Sequence, residues 1–546
     1  MRLIHTTTWQ IHDFSRSSSS IPPYAILSHT WGDDEVNFSD MSSESYAALS
    51  RRKGFVKIRR TCDLARRDNL DYAWIDTCCI DKSSSAELTE AINSMFEWYA
   101  NSAICYVFLS DYVPGKVELK TCRWWTRGWT LQELLAPENL VFYDAMGDSV
   151  GTKASFGQQI SEITKIDNSI LSDRTRVFEC SISHRMSWAA SRQTTLIEDE
   201  AYSLLGIFGI HIPLIYGEGR MAFRRLQEEI IKRDTDLTIF CFDTPNSDIA
   251  GLPFANLIAE SPSAFRRVVN VDPGSLAFPE FMLTNKGISF FDTAGPMYYS
   301  EISIDANLYS FELGVDQDFK PVAILLRKIA PGIFCRKAGT PIHSFRTTMV
   351  LRSSLWRPHQ FCILTHPTQF SMAHMKRSRD SALRVPRTKH FRLADVAPYY
   401  LWDATDRVIL KPPYHYFHSP VTHLLMRFEG LDSLQSINLV VLAVYVRGTL
   451  LPQLEMYDGD QYPKETTELF EKYAVQPIAS PSSLKRILPE MGPFGDCIEF
   501  TLSDNSRAKV QALLQDGEAV IEAGLVAYKD LVLQVSIDRS VEEYDK

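Results

Sequence analysis

The chain has no Cys-x-x-Cys pair among its ten cysteines, which are scattered mostly through apolar runs. That spacing offers no pattern for a structural zinc site or a disulfide-stapled secreted fold. It implies reduced, buried thiols, a cytoplasmic protein and no metal. No apolar stretch approaches the roughly 18 residues of a membrane-spanning helix, and Met1-Arg2-Leu3-Ile4-His5 does not open a signal segment. An excess of basic charge is missing as well. With 57 Lys and Arg against 67 Asp and Glu, net charge −10, the whole chain is not built to hold nucleic acid. The local basic run Lys376-Arg377-Ser378-Arg379, with Arg384, Arg387, Lys389 and Arg392, reads as a solvated loop. There is no Gly-x-x-x-x-Gly-Lys-Ser/Thr phosphate loop and no internal repeat.

What is present is globular: 546 residues, 45% hydrophobic and 23% charged, enough for several domains. Apolar strands are expected at about 24–28, 73–78, 104–109 and 139–143, alternating with helices. That alternation predicts an α/β N-terminal domain with a parallel sheet covered on both faces, over residues 1–150 with its core at 24–137. Residues 1 to 20 read as a short lead segment and a loop. Ser84-Ser85-Ala86-Glu87 spells a capping box ahead of Leu88, Ala91, Ile92, Met95 and Tyr99 on one helical face. A helical module follows at 184–235, docked on the first domain, with a second capping-box spelling at Thr195-Leu196-Ile197-Glu198. From about 250 to 546 the apolar runs shorten and Pro and Gly multiply, which predicts a β-rich C-terminal domain, a sandwich or barrel. The change of texture puts a boundary near 236–255.

Two catalytic spellings are weak on context. Gly217-Glu218-Gly219-Arg220-Met221-Ala222 matches a dinucleotide fingerprint by letter but lacks the strand before it. A glycine-allowed turn into a helix accounts for it better. Gly147-Asp148-Ser149-Val150-Gly151 matches a nucleophile elbow but stands off its strand, as a surface loop would. Cys78 or Cys79 with His29 would make a thiolate pair only if the cysteines left the apolar strand they continue.

The strand ends carry more chemistry. Asp76 and Asp81 flank the second strand and Ser28-His29 end the first, followed by Asp33, Asp34 and Glu35. In a parallel sheet these ends share one edge, where an acidic, aromatic-lined crevice can form; the alternative is that the acids cap turns. Glu133, within Trp129-Thr130-Leu131-Gln132-Glu133-Leu134-Leu135, is a carboxylate among apolar neighbours. It is either a perturbed functional acid or the structural partner of Arg123 or Arg127.

The segments Tyr24 to Gly32 (YAILSHTWG), Trp74 to Lys82 (WIDTCCIDK), Glu87 to Tyr99 (ELTEAINSMFEWY) and Arg127 to Pro137 (RGWTLQELLAP) resemble, in order, the fungal heterokaryon incompatibility (HET) domain. The resemblance continues through Arg185 to Trp188, Glu198 to Leu205 and Tyr216 to Glu228, and covers roughly the first 240 residues. It implies non-self recognition between fungal strains and the cell death that follows incompatible fusion. The domain is also distantly similar to Toll/interleukin-1 receptor (TIR) domains, which implies a flavodoxin-like fold. Some TIR domains cleave NAD with a glutamate in a Trp-x-x-x-Glu arrangement, and Trp129 and Glu133 match it. The resemblance therefore implies a catalytic Glu133, a substrate site of Ser28, His29, Trp31, Asp81 and Trp129, and NAD as substrate rather than a bound cofactor. The other expectation is a noncatalytic module for protein partners or self-association.

Overall fold

The computed structural model describes residues 1–14, 21–43 and 46–244. Beyond these it describes 254–267, 271–273, 280–293, 297–299, 308–330, 333–339, 343–344, 359–367, 383–386, 388–397, 402–403, 408–409, 421–435, 437–446, 453–458, 467, 470–471, 497–501, 507–516 and 529–538. The serine run 15–20, the boundary residues 245–253, Lys376-Arg377-Ser378-Arg379 and Arg387 lie outside the described residues. The chain divides into two compact units. The first comprises Met1–Thr244, Ile258–Ser275 and Leu313–Val322; the second comprises Pro245–Leu257, Leu276–Glu312 and Ala323–Lys546.

In the first unit the elements run β1 (Arg2–His5), β2 (Ile11–Asp13), β3 (Tyr24–His29), α1 (Phe55–Arg67), β4 (Tyr72–Trp74), α2 (Ser85–Ala100), β5 (Ile104–Phe108), α3 (Thr130–Leu135), β6 (Leu140–Tyr143), β7 (Ser149–Thr152), α4 (Ile182–Ala189) and α5 (Met221–Ile231), with shorter turns between. The seven strands form one sheet in the order β2-β1-β4-β3-β5-β6-β7. Its centre, β4-β3-β5-β6, is parallel. The sheet is mixed rather than wholly parallel, because β1 and β2 extend one side and β7 the other, all antiparallel. The lead segment is thus part of the sheet, while the serine run read as a loop lies outside the described residues.

All six residues of β3 are buried, as expected of a strand in the middle of a covered sheet. The second strand is shorter than its apolar run: β4 ends at Trp74, and Asp76–Cys79 form a helical turn. Cys78 and Cys79 are therefore buried in that turn. The Cys78 thiol is pushed well up by its hydrogen bond with Cys79 and by burial, so it holds no thiolate.

Helix α2 begins as its sequence predicts, with the Ser84 hydroxyl accepting from Glu87 N at 3.4 Å. Glu87 does not close the box on Ser84; its carboxylate accepts from Asp81 N at 2.9 Å and pairs with Arg2. Ala91, Ile92, Met95, Phe96 and Tyr99 are the buried face.

The second unit is β-rich. Phe391–Ala397, Val421–Gly430, Asn438–Val446 and Gln453–Asp458 form a four-stranded antiparallel meander. A six-stranded sheet carries Cys497–Thr501, Arg507–Asp516 and Lys529–Asp538 as an antiparallel run. Leu424, Met426, Leu439 and Val441 from one sheet and Ala508, Val510, Leu531 and Leu533 from the other fill a single core, with alternate residues pointing inward. Among the described residues no helix is long and apolar enough to cross a membrane.

A close contact ties α2 to the helical turn Leu205–Phe208. A Cβ added at Gly206 would lie 2.1 Å from Phe96 Cβ and 2.7 Å from its Cγ. Gly206→Ala is expected to destabilise the first unit by about 1–3 kcal/mol through overpacking. Denaturant unfolding checks this, and an unmoved midpoint would contradict the contact.

Candidate active site

The carboxyl ends of β3 and β4, helix α2, helix α3 and the segment 195–216 enclose a cavity of about 480 Å³. Glu133, His29, Trp31 and Trp129 all line it. So do Asp76, Lys82, Tyr99, Arg127, Asp199 and Tyr216, with Leu88, Ile92 and Met95 supplying apolar wall. The size and the mix of apolar wall with a few polar groups suit a small-molecule site.

Glu133 is held by its whole short helix. Every residue from Thr130 to Leu135 is buried. At one end the Thr130 hydroxyl donates to Trp124 O at 2.6 Å. At the other, buried Lys153 donates from Nζ to Leu134 O at 3.2 Å and Pro137 O at 2.6 Å, satisfying carbonyls the helix end leaves open. Burial pushes the Lys153 ammonium down to about 8.

The Glu133 side chain is 8% exposed. Ser28 Oγ donates to its carboxyl and itself accepts from Trp124 Nε1 at 2.8 Å. The Tyr99 hydroxyl donates to Leu27 O at 2.8 Å and also faces the carboxyl. Burial raises the Glu133 pKa to about 8, aided by the Asp76 charge and opposed by Ser28, Tyr99 and the charge of Arg192. The carboxyl is thus mostly protonated at pH 7. Among the described residues no ion pair joins it to Arg123 or Arg127. Arg123 instead reaches Thr30 Oγ1 at 3.3 Å, and Arg127 reaches Thr195.

Ser28 lies behind the wall, buried, as the positioner of Glu133. Asp81 does not line the cavity: its carboxylate accepts from Ser83 N and Oγ at 3.0 and 2.6 Å, holding the turn before α2. Asp76 is the acid that faces inward instead. It accepts from Trp31 Nε1 at 2.9 Å and stands 3.9 Å from His29 Nδ1. His29 is pushed down to about 4, chiefly by burial, so its imidazole is neutral at pH 7, and among the described residues its Nε2 has no hydrogen-bond partner. One face of Trp31 is taken by Lys82, whose ammonium lies 3.6 Å from the ring centroid. On the far side Asp199 accepts from Trp129 Nε1 at 3.2 Å and from the Tyr216 hydroxyl at 3.0 Å, and burial raises its pKa.

The Gly217–Gly219 turn has its own explanation. Both glycines have positive φ, 102° and 60°, and both amides donate to the Glu198 carboxylate at 2.9 Å. Glu198 therefore does not close a capping box, and the amides a pyrophosphate would need are occupied. The Gly147 turn is closed by Asp144, which accepts from Met146, Gly147 and Asp148 N at 2.9 Å, and Ser149 opens β7.

Residues 24–118 match the family model described as Heterokaryon incompatibility protein (HET). Over 242 residues the chain is 45% identical to the vegetative incompatibility protein HET-E-1 of Podospora anserina. The N-terminal part of this chain is thus similar to HET-domain proteins. The aligned stretch is 42% of this chain and 18% of the relative, so the chain spans less than a fifth of that protein's length. No solved structure matches. The residues matched to the HET domain include His29, Trp31, Asp76, Lys82 and Tyr99, while Trp129, Glu133 and Asp199 lie beyond their end.

The Glu133 environment makes stability depend on pH. Unfolded, its carboxyl titrates near 4.5; folded, near 8. Between these values the unfolded chain has lost a proton that the folded chain keeps, so its contribution to stability falls as pH rises. Glu133→Gln, which cannot ionise, is expected to gain melting temperature relative to wild type from pH 5 to pH 8. Calorimetry at both values tests this; parallel melting curves would mean that the carboxyl is not desolvated.

Proposed function

We propose that this chain is a HET-domain protein that acts in heterokaryon incompatibility, in the cytoplasm, by cleaving NAD at the Glu133 cavity and so driving regulated cell death. The observation that carries the proposal is a buried carboxyl, positioned by Ser28, in the wall of an aromatic and acidic cavity at the carboxyl ends of parallel strands. Counted among themselves, the four parallel strands stand in the order 2-1-3-4, which supports a flavodoxin-like, TIR-related sheet. The relative's name supports the biological role.

Breaking the nicotinamide–ribose bond releases neutral nicotinamide and leaves positive charge on the ribose, which water then takes up with loss of a proton. A carboxylate beside the sugar stabilises that charge where water cannot screen it. Glu133 supplies it once ionised. The pyridinium of bound NAD favours ionisation, because a cation close to a buried carboxyl lowers its pKa. Trp129 and Tyr216, fixed by Asp199, give flat surface for the rings, and the neutral His29 with Asp76 gives polar groups near the sugar.

A second function, noncatalytic self-association or docking of a protein partner, has one observation in its favour. Leu196, Ile215 and Met221 are 49%, 50% and 48% exposed on segments beside the cavity.

Nicotinamide release by the purified full chain separates the two. Wild type is expected to cleave NAD with kcat/KM rising with pH through about 8, the free-enzyme value of Glu133. A folded Glu133→Gln protein should lose about 10²-fold or more of that rate. If wild type releases no nicotinamide even when clustered, catalysis is wrong and the interaction function stands.

A further inference from the structure

The cavity holds two kinds of charge that a neutral ligand would not use. Asp76, Glu133 and Asp199 bring acid, and Lys82 and Arg127 bring cations. Lys82 is committed: its ammonium rests on the Trp31 ring, and Asp76 is the strongest opposing influence on a pKa that burial lowers. Arg127 is not. The residue is half-buried at the wall and its guanidinium hydrogen-bonds the Thr195 hydroxyl, at 3.3 and 3.4 Å; its charge is felt by Asp199 across the cavity, but among the described residues it makes no ion pair.

The main chain of Arg127, in contrast, is firmly held. Its carbonyl accepts from Arg192 Nη1 and from Thr130 Oγ1, each at 2.9 Å. Its amide donates to Trp124 O at 3.4 Å, and the residue bridges to Gln193. The cation is thus presented from a fixed backbone, with forked donors facing the cavity. A planar guanidinium in that state is suited to a phosphate, which it binds through paired, charge-assisted hydrogen bonds.

We propose that Arg127, with the Thr195 hydroxyl beside it, is an anion subsite that reads the pyrophosphate of the ligand, so that the cavity selects phosphate-bearing dinucleotides over the free nucleoside. This rests on the NAD assignment of the cavity and deepens it. The ligand would then be split by charge, its cationic ring and ribose toward Glu133 and Asp76 and its phosphates toward Arg127. Arg127 becomes a specificity-determining residue rather than a structural partner of Glu133.

Calorimetric titration of the full chain with NAD, ADP-ribose and nicotinamide riboside tests this. ADP-ribose has the phosphates without the ring, and the riboside has the ring without the phosphates. Wild type is expected to bind NAD and ADP-ribose more tightly than the riboside, with an affinity that falls as salt is added. Arg127→Gln should weaken NAD and ADP-ribose about ten- to hundredfold, the loss expected for hydrogen bonds to a charged group. It should leave the riboside where it was, and Arg127→Lys should restore part of the phosphate affinity. Because the structural bonds of residue 127 are made by its backbone, the Gln variant keeps them. Equal weakening of all three ligands would overturn the subsite and make Arg127 a shaper of the cavity; no weakening of any would place the phosphates elsewhere. Arg127-dependent binding of ADP-ribose by a protein that cleaves no NAD would uphold the subsite and remove the cleavage. Binding of none of the three would overturn both.

Discussion

Everything in the candidate site depends on taking the Glu133 carboxyl out of water. A buried carboxyl is costly unless its hydrogen-bonding capacity is met, and here the first unit is arranged to meet it. Ser28 reaches it from the central strand, Tyr99 from the long helix, and Trp124 in turn fixes the Ser28 hydroxyl. Lys153 closes the far end of the helix that bears it. One sheet strand, the long helix, the turn bearing Trp124 and a distant lysine thus converge on the six-residue helix and its carboxyl. Removing any one of them would leave a buried donor or acceptor unmet.

The same burial sets the chemistry. An exposed glutamate would be ionised at every physiological pH and screened by water. This one titrates near 8, with Asp76 adding to the shift. Its neighbour His29 is displaced in the opposite sense, to about 4, by the same desolvation. The cavity therefore carries less charge at pH 7 than its residue types suggest, and a cation placed beside Glu133 would favour its ionised form.

Much of this was legible in the sequence because it follows from local pattern. Tyr24 to His29 is a continuous apolar run ending in a serine and a histidine, and it forms the central strand with both at its carboxyl end. Ser84 caps the helix it precedes. Glu133 stood out as a carboxylate set among leucines, and its pairing with Trp129 came from the TIR resemblance. The misses are equally physical. Arg2–His5 and Ile11–Asp13 are too short to show an alternation, so their pairing onto the sheet edge left no signal. The run Trp74 to Ile80 is apolar but for Asp76 and Thr77, and so short a run does not separate a strand from a buried helical turn; that turn is what aims Asp76 inward and Asp81 away. Arg192, Asp199 and Tyr216 reach the site from a segment over 50 residues later, which no local pattern predicts.

The most direct measurement of the central claim is the protonation of Glu133 itself, read as the infrared difference between wild type and Glu133→Gln across a pH titration, with and without NAD. The account predicts a protonated-carboxyl band that persists at pH 7, disappears with a midpoint near 8, and disappears at lower pH when NAD is bound. A band already lost near 4.5, or one that NAD does not move, would show an ordinary carboxylate and contradict it.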